Sequence, residues 1–318
     1  MKSILIKFQN ICAGVLVAFI LVGVAQAGEK RIALTFDDGP TKDGPLLSGE
    51  ERTAMLIAAL EKSGVDQAAF FITTKNLTKE PSRQRVHDYA AAGHVIANHS
   101  DQHVWAHKTE VADYVADIDL AEEKLAGFDN RRAWFRFPYL DEGREQQKRD
   151  DLRAALAERN LLSGYVTVDT FDWHMVNLAR RAIKVGKCMD TQKAGEIYVD
   201  MFVSAAEHFH SLSLEALGRA PAQNILLHEN DFAAMFVDDL VVGLEEAGWE
   251  MITADEAFAD PLAGQLPDTL FSGQGRVAAF AKEAGIPYAR IDHDASEEAP
   301  VNARFETAGV FYECQETL

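Results

Sequence analysis

Along this chain, short apolar runs alternate with longer stretches whose apolar residues recur at helical spacing. Residues 31–36 (RIALTF) make the first run, which has the length of a buried strand and ends at two adjacent acids. Residues 51–62 follow with Met55, Leu56, Ala59 and Leu60 on one helical face. The same alternation continues with strands expected at 68–73 and 95–97 and helices at 82–92 and 110–126. In the last of these helices Val111, Tyr114, Val115, Ile118 and Leu125 form a single stripe. Beyond it the pattern gives strands at 134–136, 165–168, 224–227 and 250–253, separated by helices at 145–159, 191–217 and 232–246.

Regular β/α alternation argues for a parallel sheet covered by helices. Six or seven such units close more naturally as a barrel than as an open sheet, and in a barrel the chemistry gathers at the C-terminal ends of the strands. The expected fold is therefore α/β, a distorted (β/α)7–8 barrel over residues 28–260. The pattern changes after Pro261, where Gly273, Gly275, Gly285 and the pair Glu297-Glu298 stand out. Residues 261–318 are read as an extension packed on the barrel. There is no internal repeat and no low-complexity tract.

The first 27 residues have their own logic. Lys2 and Lys7 precede an apolar stretch at 11–24, and Ala25-Gln26-Ala27 fits a cleavage site, the pattern of a secretory signal peptide. The apolar core is short for a membrane span, which needs about 20 residues. The expectation is export to the periplasm or the medium, without membrane attachment after cleavage. The full chain has a net charge of −19, and loss of Lys2 and Lys7 takes it to −21. A surface of that sign repels nucleic acid and anionic lipid, which argues against both as partners. Two cysteines, Cys188 and Cys314, remain in a disulfide-permissive compartment. Their spacing fits no metal or redox motif, and sequence leaves open whether they pair.

The candidate chemistry sits at the ends of the expected strands. Thr35-Phe36-Asp37-Asp38-Gly39-Pro40 puts two carboxylates side by side, which costs energy unless a cation or a base role separates them. In His99-Ser100-Asp101-Gln102-His103 the histidines stand at i and i+4, so on a helical turn both would face one metal. His107 continues that spacing, so phase alone does not choose between them. Arg136-Phe137-Pro138-Tyr139 offers a guanidinium that can orient a carboxylate. Asp169-Thr170-Phe171-Asp172-Trp173 and Leu226-Leu227-His228 complete the set. Taken singly, these are an acidic turn, a polar turn, a surface ion pair and a structural histidine. Five of them at the ends of successive strands are not independent, because a barrel would bring them together.

Those five segments, in that order, resemble the polysaccharide deacetylases with the NodB homology domain, carbohydrate esterase family 4, over roughly residues 31–260. The resemblance implies a divalent metal, usually zinc, with cobalt, nickel or manganese as alternatives, held by Asp38, His99 and His103. It implies Asp37 as general base, Arg136 as its orienting partner, the backbone N–H of Tyr139 as an oxyanion donor, His228 as general acid and Asp172 as the partner of His228. Trp173, Pro138 and Phe137 would shape the acetyl pocket. The implied activity is removal of acetyl groups from an N-acetylated glycan such as chitin oligosaccharide or peptidoglycan. Alternatives are O-acetyl ester removal from a polymer such as xylan and an inactive glycan-binding homologue. Two histidines and a carboxylate also suit non-haem iron, but the extra pair Asp37 and Arg136 argues against it. Residues 41–50 and 174–222 are longer than in many members, and His174, His208 and His210, outside every motif, are read as surface or structural.

Overall fold

A computed structural model describes residues 28–77, 79–270 and 273–314. The expected signal peptide lies outside the described residues. In chain order the strands are β1 (Arg31–Gly39), β2 (Ala69–Ile72), β3 (Val95–Asn98), β4 (Arg131–Phe135), β5 (Leu162–Ser163), β6 (Lys187–Met189), β7 (Gln223–His228), β8 (Glu250–Met251) and β9 (Phe311–Glu313). The α-helices are α1 (Gly49–Lys62), α2 (Glu80–Ala91), α3 (Val111–Leu125), α4 (Gln146–Glu158), α5 (Asp172–Lys184), α6 (Thr191–Leu217), α7 (Asp231–Glu246), α8 (Ala254–Phe258), α9 (Gly275–Glu283), α10 (Tyr288–Ile291) and α11 (Glu298–Ala308).

The main sheet runs β5-β4-β3-β2-β1-β7, with β8 alongside the start of β1, and every pairing in it is parallel. The stretch just after β5 returns to the other edge, where Val168 bridges Ile225 of β7. One broken strand thus touches both edges and curves the sheet round on itself. Gly164 sits at the break because its Cβ would lie 2.4 Å from the Phe71 ring. The expected regular strand at 165–168 is therefore reduced to that bridge.

Strand interiors are apolar on both faces, as a parallel sheet under helices requires. Ile32, Leu34, Phe36, Phe70, Phe71, Ile225 and Leu227 are all fully buried. Each such side chain contributes about 1.5–3 kcal/mol by burial. Local signals set the helix ends. Ser48 and Glu51 form a capping box at α1, Asn230 caps α7, and Gly218 in the left-handed region ends α6. On α1, Leu56, Ala59 and Leu60 turn inward as expected, but Met55 is 42% exposed, its place on the inner face taken by Arg52 and Thr53. Helix α5 is additional to the expected elements; its Met175, Val176, Ala179 and Ala182 form a buried stripe at helical spacing.

Beyond Pro261, α9 packs on α6, and Val277, Ala281, Ile291, Val301 and Phe305 join the same apolar core as the strands. The backbone N–H of Arg276 donates to Val166 O, and that of Phe171 donates to Ala295 O, so this segment braces the loops around Asp169 and Asp172. β6 and β9 pair antiparallel, and Cys188 and Cys314 form a disulfide.

Candidate active site and metal centre

The C-terminal ends of β1, β3, β4 and β7 bring the polar segments together. Asp37 and Asp38 extend β1, and Asp38 has φ 68°, a left-handed conformation that is costly for a residue with a Cβ. Ser100, His103, Tyr139 and Leu140 share that conformation. Of the eight non-glycine residues with positive φ among the described residues, five thus surround one site. Strain gathered in this way marks a place where geometry is held for function.

The histidine segment is a loop, not the expected helical turn. Asn98 Oδ1 accepts from the Ser100 N–H at 2.7 Å, and Ser100 Oγ accepts from the His103 N–H at 2.9 Å. Asp117 on α3 accepts from the N–H groups of Asp101 and Gln102, both at 3.0 Å. Folded this way, the loop sets the two rings 5.0 Å apart. His103 Nε2 lies 3.0 Å from Asp38 Oδ1, and His99 Nε2 lies 3.7 Å from the same oxygen. One donor atom from each of Asp38, His99 and His103 falls within 4.8 Å of the others. His99 Nδ1 donates to the carbonyl of Arg136 at 2.9 Å, which leaves Nε2 with its lone pair facing Asp38. Burial pushes the His99 pKa down to about 4, so the ring is neutral, as a ligand must be. Burial works against ionisation of Asp38, yet His103 beside it holds that carboxyl well below the usual range. This set fits a divalent ion of the zinc type, with three protein ligands and open positions. His107 is not part of it; its Nδ1 pairs with Asp141 at 2.7 Å.

Two ion pairs flank the cluster. On one side Arg136 Nη1 donates to Asp37 Oδ1 at 2.6 Å and to Thr35 Oγ1 at 2.9 Å, its Nε donates to Gly164 O at 2.6 Å, and the guanidinium lies 3.8 Å over the Phe71 ring. Asp37 Oδ2 lies 3.5 Å from His99 Nε2. On the other side, fully buried Asp172 meets His228 Nδ1 at 2.6 Å and accepts from the backbone N–H groups of His228 and Trp173 and from Asn230 Nδ2. Burial works against a charged His228, but Asp172 outweighs it and raises the pKa to about 9. Trp173, His228, His103 and Asp38 line one hollow of about 500 Å³.

The Arg136-Phe137-Pro138-Tyr139 segment divides. Tyr139 is 43% exposed, stacks on Trp105 at 3.8 Å and sets its ring 4.6 Å from that of His103. Its backbone N–H donates to none of the described residues. Phe137 and Pro138 are buried and do not line the hollow, contrary to expectation. The Phe137 ring packs with Tyr114 and Phe135, because alternation along this stretch turns it inward under α3. His174 and His208 bond to Asn302 and to the carbonyl of Ile291, and His210 is buried, so all three sit in the packing rather than on the surface.

Sequence reasoning missed a buried ionic clamp beside the site. Glu229 Oε1 accepts from Arg85 Nη2 at 2.6 Å, Tyr89 OH at 2.9 Å and Arg52 Nε at 3.0 Å. Its Oε2 accepts from the N–H of Thr41, and the Thr41 hydroxyl donates to the Glu229 carbonyl at 2.8 Å. Arg52 also donates to Asp231 Oδ1 at 2.8 Å and to the carbonyls of Thr41 and Lys42. The one available signal was Glu229 and Asp231 following His228 directly.

Residues 25–157 match the family model described as polysaccharide deacetylase. No curated protein matches the chain. Among solved structures, a mutant of a CE4-family pseudoenzyme from Bacillus anthracis is 17% identical, covering 72% of this chain and 67% of its own at a TM-score of 0.50, which speaks for the fold alone. A family 4 carbohydrate esterase from Streptomyces lividans in complex with acetate is 20% identical, covering 73% of this chain and 97% of its own at a TM-score of 0.49. A polysaccharide deacetylase from Bacillus cereus is 24% identical, covering 71% and 92%, also at 0.49.

Proposed function

We propose that this chain, which carries a polysaccharide deacetylase domain of the NodB type, removes acetyl groups from N-acetylated glycans in a reaction that depends on a divalent metal. The observation that supports this best is the cluster of Asp38, His99 and His103 at one hollow, with the Asp37–Arg136 pair against His99 and the Asp172–His228 pair reaching the hollow through His228. Zinc is the ion that the donor set suits best. When bound, such an ion supplies Lewis acidity that acidifies a water and polarises an acetyl carbonyl.

The protein's own groups then divide the work. Asp37 takes the proton of the attacking water, and Arg136, fixed by four contacts, holds it in place. The N–H of Tyr139, which donates to none of the described residues, meets the developing oxyanion. His228 protonates the leaving nitrogen, which an amide needs because its bare anion leaves poorly. Asp172 keeps His228 charged and oriented, and Trp173 walls the pocket. Preceding residues 28–260, the pattern at 1–27 supports export to the periplasm or the medium.

The test is acetate release by the purified protein from chitin oligomers, peptidoglycan and acetyl-xylan, with and without added zinc, beside Asp37→Asn. Zinc-dependent release from an N-acetylated substrate, lost in the variant, is the expected result. Release from acetyl-xylan alone would point to ester hydrolysis. Glycan binding without any release would make this an inactive homologue, a role already on record for the same fold in the pseudoenzyme.

A further inference from the structure

The segment that carries Asp172 is held differently from the rest of the site. Asp37, His99 and Arg136 lie on or directly after β1, β3 and β4, each of which has a parallel neighbour on both sides. Residues 164–171 contain no strand, only the single bridge of Val168 to β7. The N–H groups of Thr167 and Val168 donate to Asn224 O at 3.2 and 3.1 Å, and Thr170 Oγ1 donates to Leu226 O at 2.5 Å, which secures the segment to β7. Other groups of the same segment are met by residues 275–302 of the C-terminal extension.

Upstream of Asp172, the Arg276 N–H donates to Val166 O at 2.6 Å. Glycine at 275 permits this approach, because a Cβ there would lie 2.4 Å from that same oxygen. Arg276 Nη2 donates to Ser163 Oγ at 2.9 Å, Nη1 donates to the carbonyls of Leu262 and Ala263, and the guanidinium lies 4.2 Å over the Tyr165 ring. Among the described residues Arg276 is the one buried arginine with no carboxylate within ion-pair distance; Arg52, Arg85, Arg136 and Arg149 each have one. Burying a guanidinium without a counter-charge is costly, so its rigid fork serves here to fix position rather than to pair charge. Next to Asp172, the Phe171 N–H donates to Ala295 O at 2.8 Å. Downstream, buried His174 in the first turn of α5 bonds through Nε2 to Asn302 Oδ1 at 2.9 Å. The Cys188–Cys314 disulfide ties the end of the extension to β6, the strand that follows α5.

His228 ends a regular strand, whereas Asp172 follows this irregular segment, and their 2.6 Å contact requires both to be held. The Asp172 carboxylate is gripped from the β7 side by the His228 N–H and Asn230 Nδ2, and the extension bonds the chain before and after it. We propose that the C-terminal extension is part of the acid half of the catalytic unit, with Arg276 and Asn302 as positioning residues that hold Asp172 where it orients His228. A displaced acid delivers its proton to the leaving nitrogen less often, while substrate binding is left alone because neither positioning residue lines the hollow. This rests on the deacetylase reading above and gives the extension a task in that reaction.

The experiment makes Arg276→Gln and Asn302→Leu in the full protein, with Arg276→Lys and Asn302→Asp as conservative partners. Ile291→Val is the control, buried in the same extension but bonded to none of residues 163–174. Without substrate, the nitrogen NMR shifts of the His228 ring, assigned by their loss in His228→Ala, report whether Nδ1 keeps its bond to Asp172. With the N-acetylated glycan that the parent deacetylates best, kcat and KM are measured separately. Arg276→Gln and Asn302→Leu should each move the ring shifts and lower kcat about tenfold, with KM within about twofold of the parent. The conservative partners should recover most of the turnover, and Ile291→Val should change neither readout. Should Arg276→Gln not fold, Asn302→Leu, which keeps the side-chain volume, decides alone. Unchanged ring shifts and kcat per folded molecule, or an equal change in Ile291→Val, overturns the proposal and leaves the deacetylase reading intact. If the parent releases no acetate from any N-acetylated glycan, that reading fails instead, and the ring shifts still decide whether the extension holds the Asp172–His228 pair.

Discussion

Two groups of charged side chains meet at the ends of β1 and β7, one residue apart in sequence, and they are built in opposite ways. In the clamp, the Glu229 carboxylate receives four hydrogen-bond donors, from Arg52, Arg85, Tyr89 and the Thr41 N–H. Burial pushes its pKa up, and the two guanidiniums more than reverse that, holding it below the ordinary glutamate value. In the cleft, Asp38 has His103 at 3.0 Å and Thr73 at 3.4 Å and is otherwise left to face the hollow. The clamp has no bonding capacity to spare for a ligand, whereas the cleft keeps some in reserve. A satisfied buried ion pair resists being broken, and an incompletely satisfied one is available for chemistry. Removing a charge should therefore cost activity in the cleft and stability in the clamp.

The largest expected effect tests the cleft. Asp37→Asn should lower kcat by about 10²–10⁴, the range for losing a general base. Its cost in stability should be the smaller one, because Arg136 keeps Gly164 O and Thr35 Oγ1 as acceptors. Glu229→Ala should reverse the ranking. It leaves two buried guanidiniums without their carboxylate, a loss of about 3–5 kcal/mol in denaturant unfolding. The kcat per folded molecule should stay within about tenfold of the parent, because Glu229 touches no reacting atom. If Glu229→Ala instead unfolded normally but lost turnover, the division between the two groups would be wrong.

The next effect lies inside the cleft. His228 has a pKa raised to about 9 from 6.5, with Asp172 as the principal cause acting against burial. A donor of this kind works while protonated, so the basic limb of the rate profile should fall near pH 9. The raised value also stabilises the fold: that contribution is complete below 6.5 and is lost as pH rises through 9. In Asp172→Asn the basic limb should move down toward 6.5, costing about tenfold or more in kcat near pH 8. The fall in melting temperature between about pH 6 and pH 10 should become shallower. A rate profile unmoved by the substitution would remove His228 from the acid role.

How far the sequence reached divides along the same line. The cleft was legible because reactive groups must be particular residue types at strand ends, so Asp37, Asp38, Arg136, Asp172 and His228 could each be named. Even there the local reasoning for His99 and His103 failed: the rings converge through a loop with two left-handed residues, not through helical phase. Phe137 was misplaced because Arg136 beside it reaches Asp37 while the Phe137 ring faces the core. The clamp stayed hidden because Arg52 and Arg85 sit in amphipathic helices, where a charged residue ordinarily reads as the solvent face. Their partner Glu229 lies 177 and 144 residues away, and no local pattern announces a pairing at that distance. The barrel's alternation was plain, but its closure depends on Gly164 meeting Phe71, a contact that periodicity cannot register.

The smallest effect asks whether the two groups are mechanically separate at all. Thr41 belongs to both: it lines the hollow, and its Oγ1 donates to the Glu229 carbonyl at 2.8 Å and approaches Oε2 at 2.9 Å. Thr41→Val keeps the shape and the backbone N–H bond to Oε2 but removes the hydroxyl. Glu229 still has both arginines and Tyr89, so the carboxylate is not stranded, and the cost should be about 0.5–1.5 kcal/mol, that of an ordinary hydrogen bond. If the clamp only fixes the position of the loop, kcat/KM on the best substrate should hardly change. If it also sets how Asp37 and Asp38 are presented, through the two residues that separate Asp38 from Thr41, kcat should drop by more than the stability loss accounts for. A kcat loss beyond about tenfold, with unfolding little altered, would mean that the clamp tunes the cleft and that satisfied and unsatisfied charges here form one device.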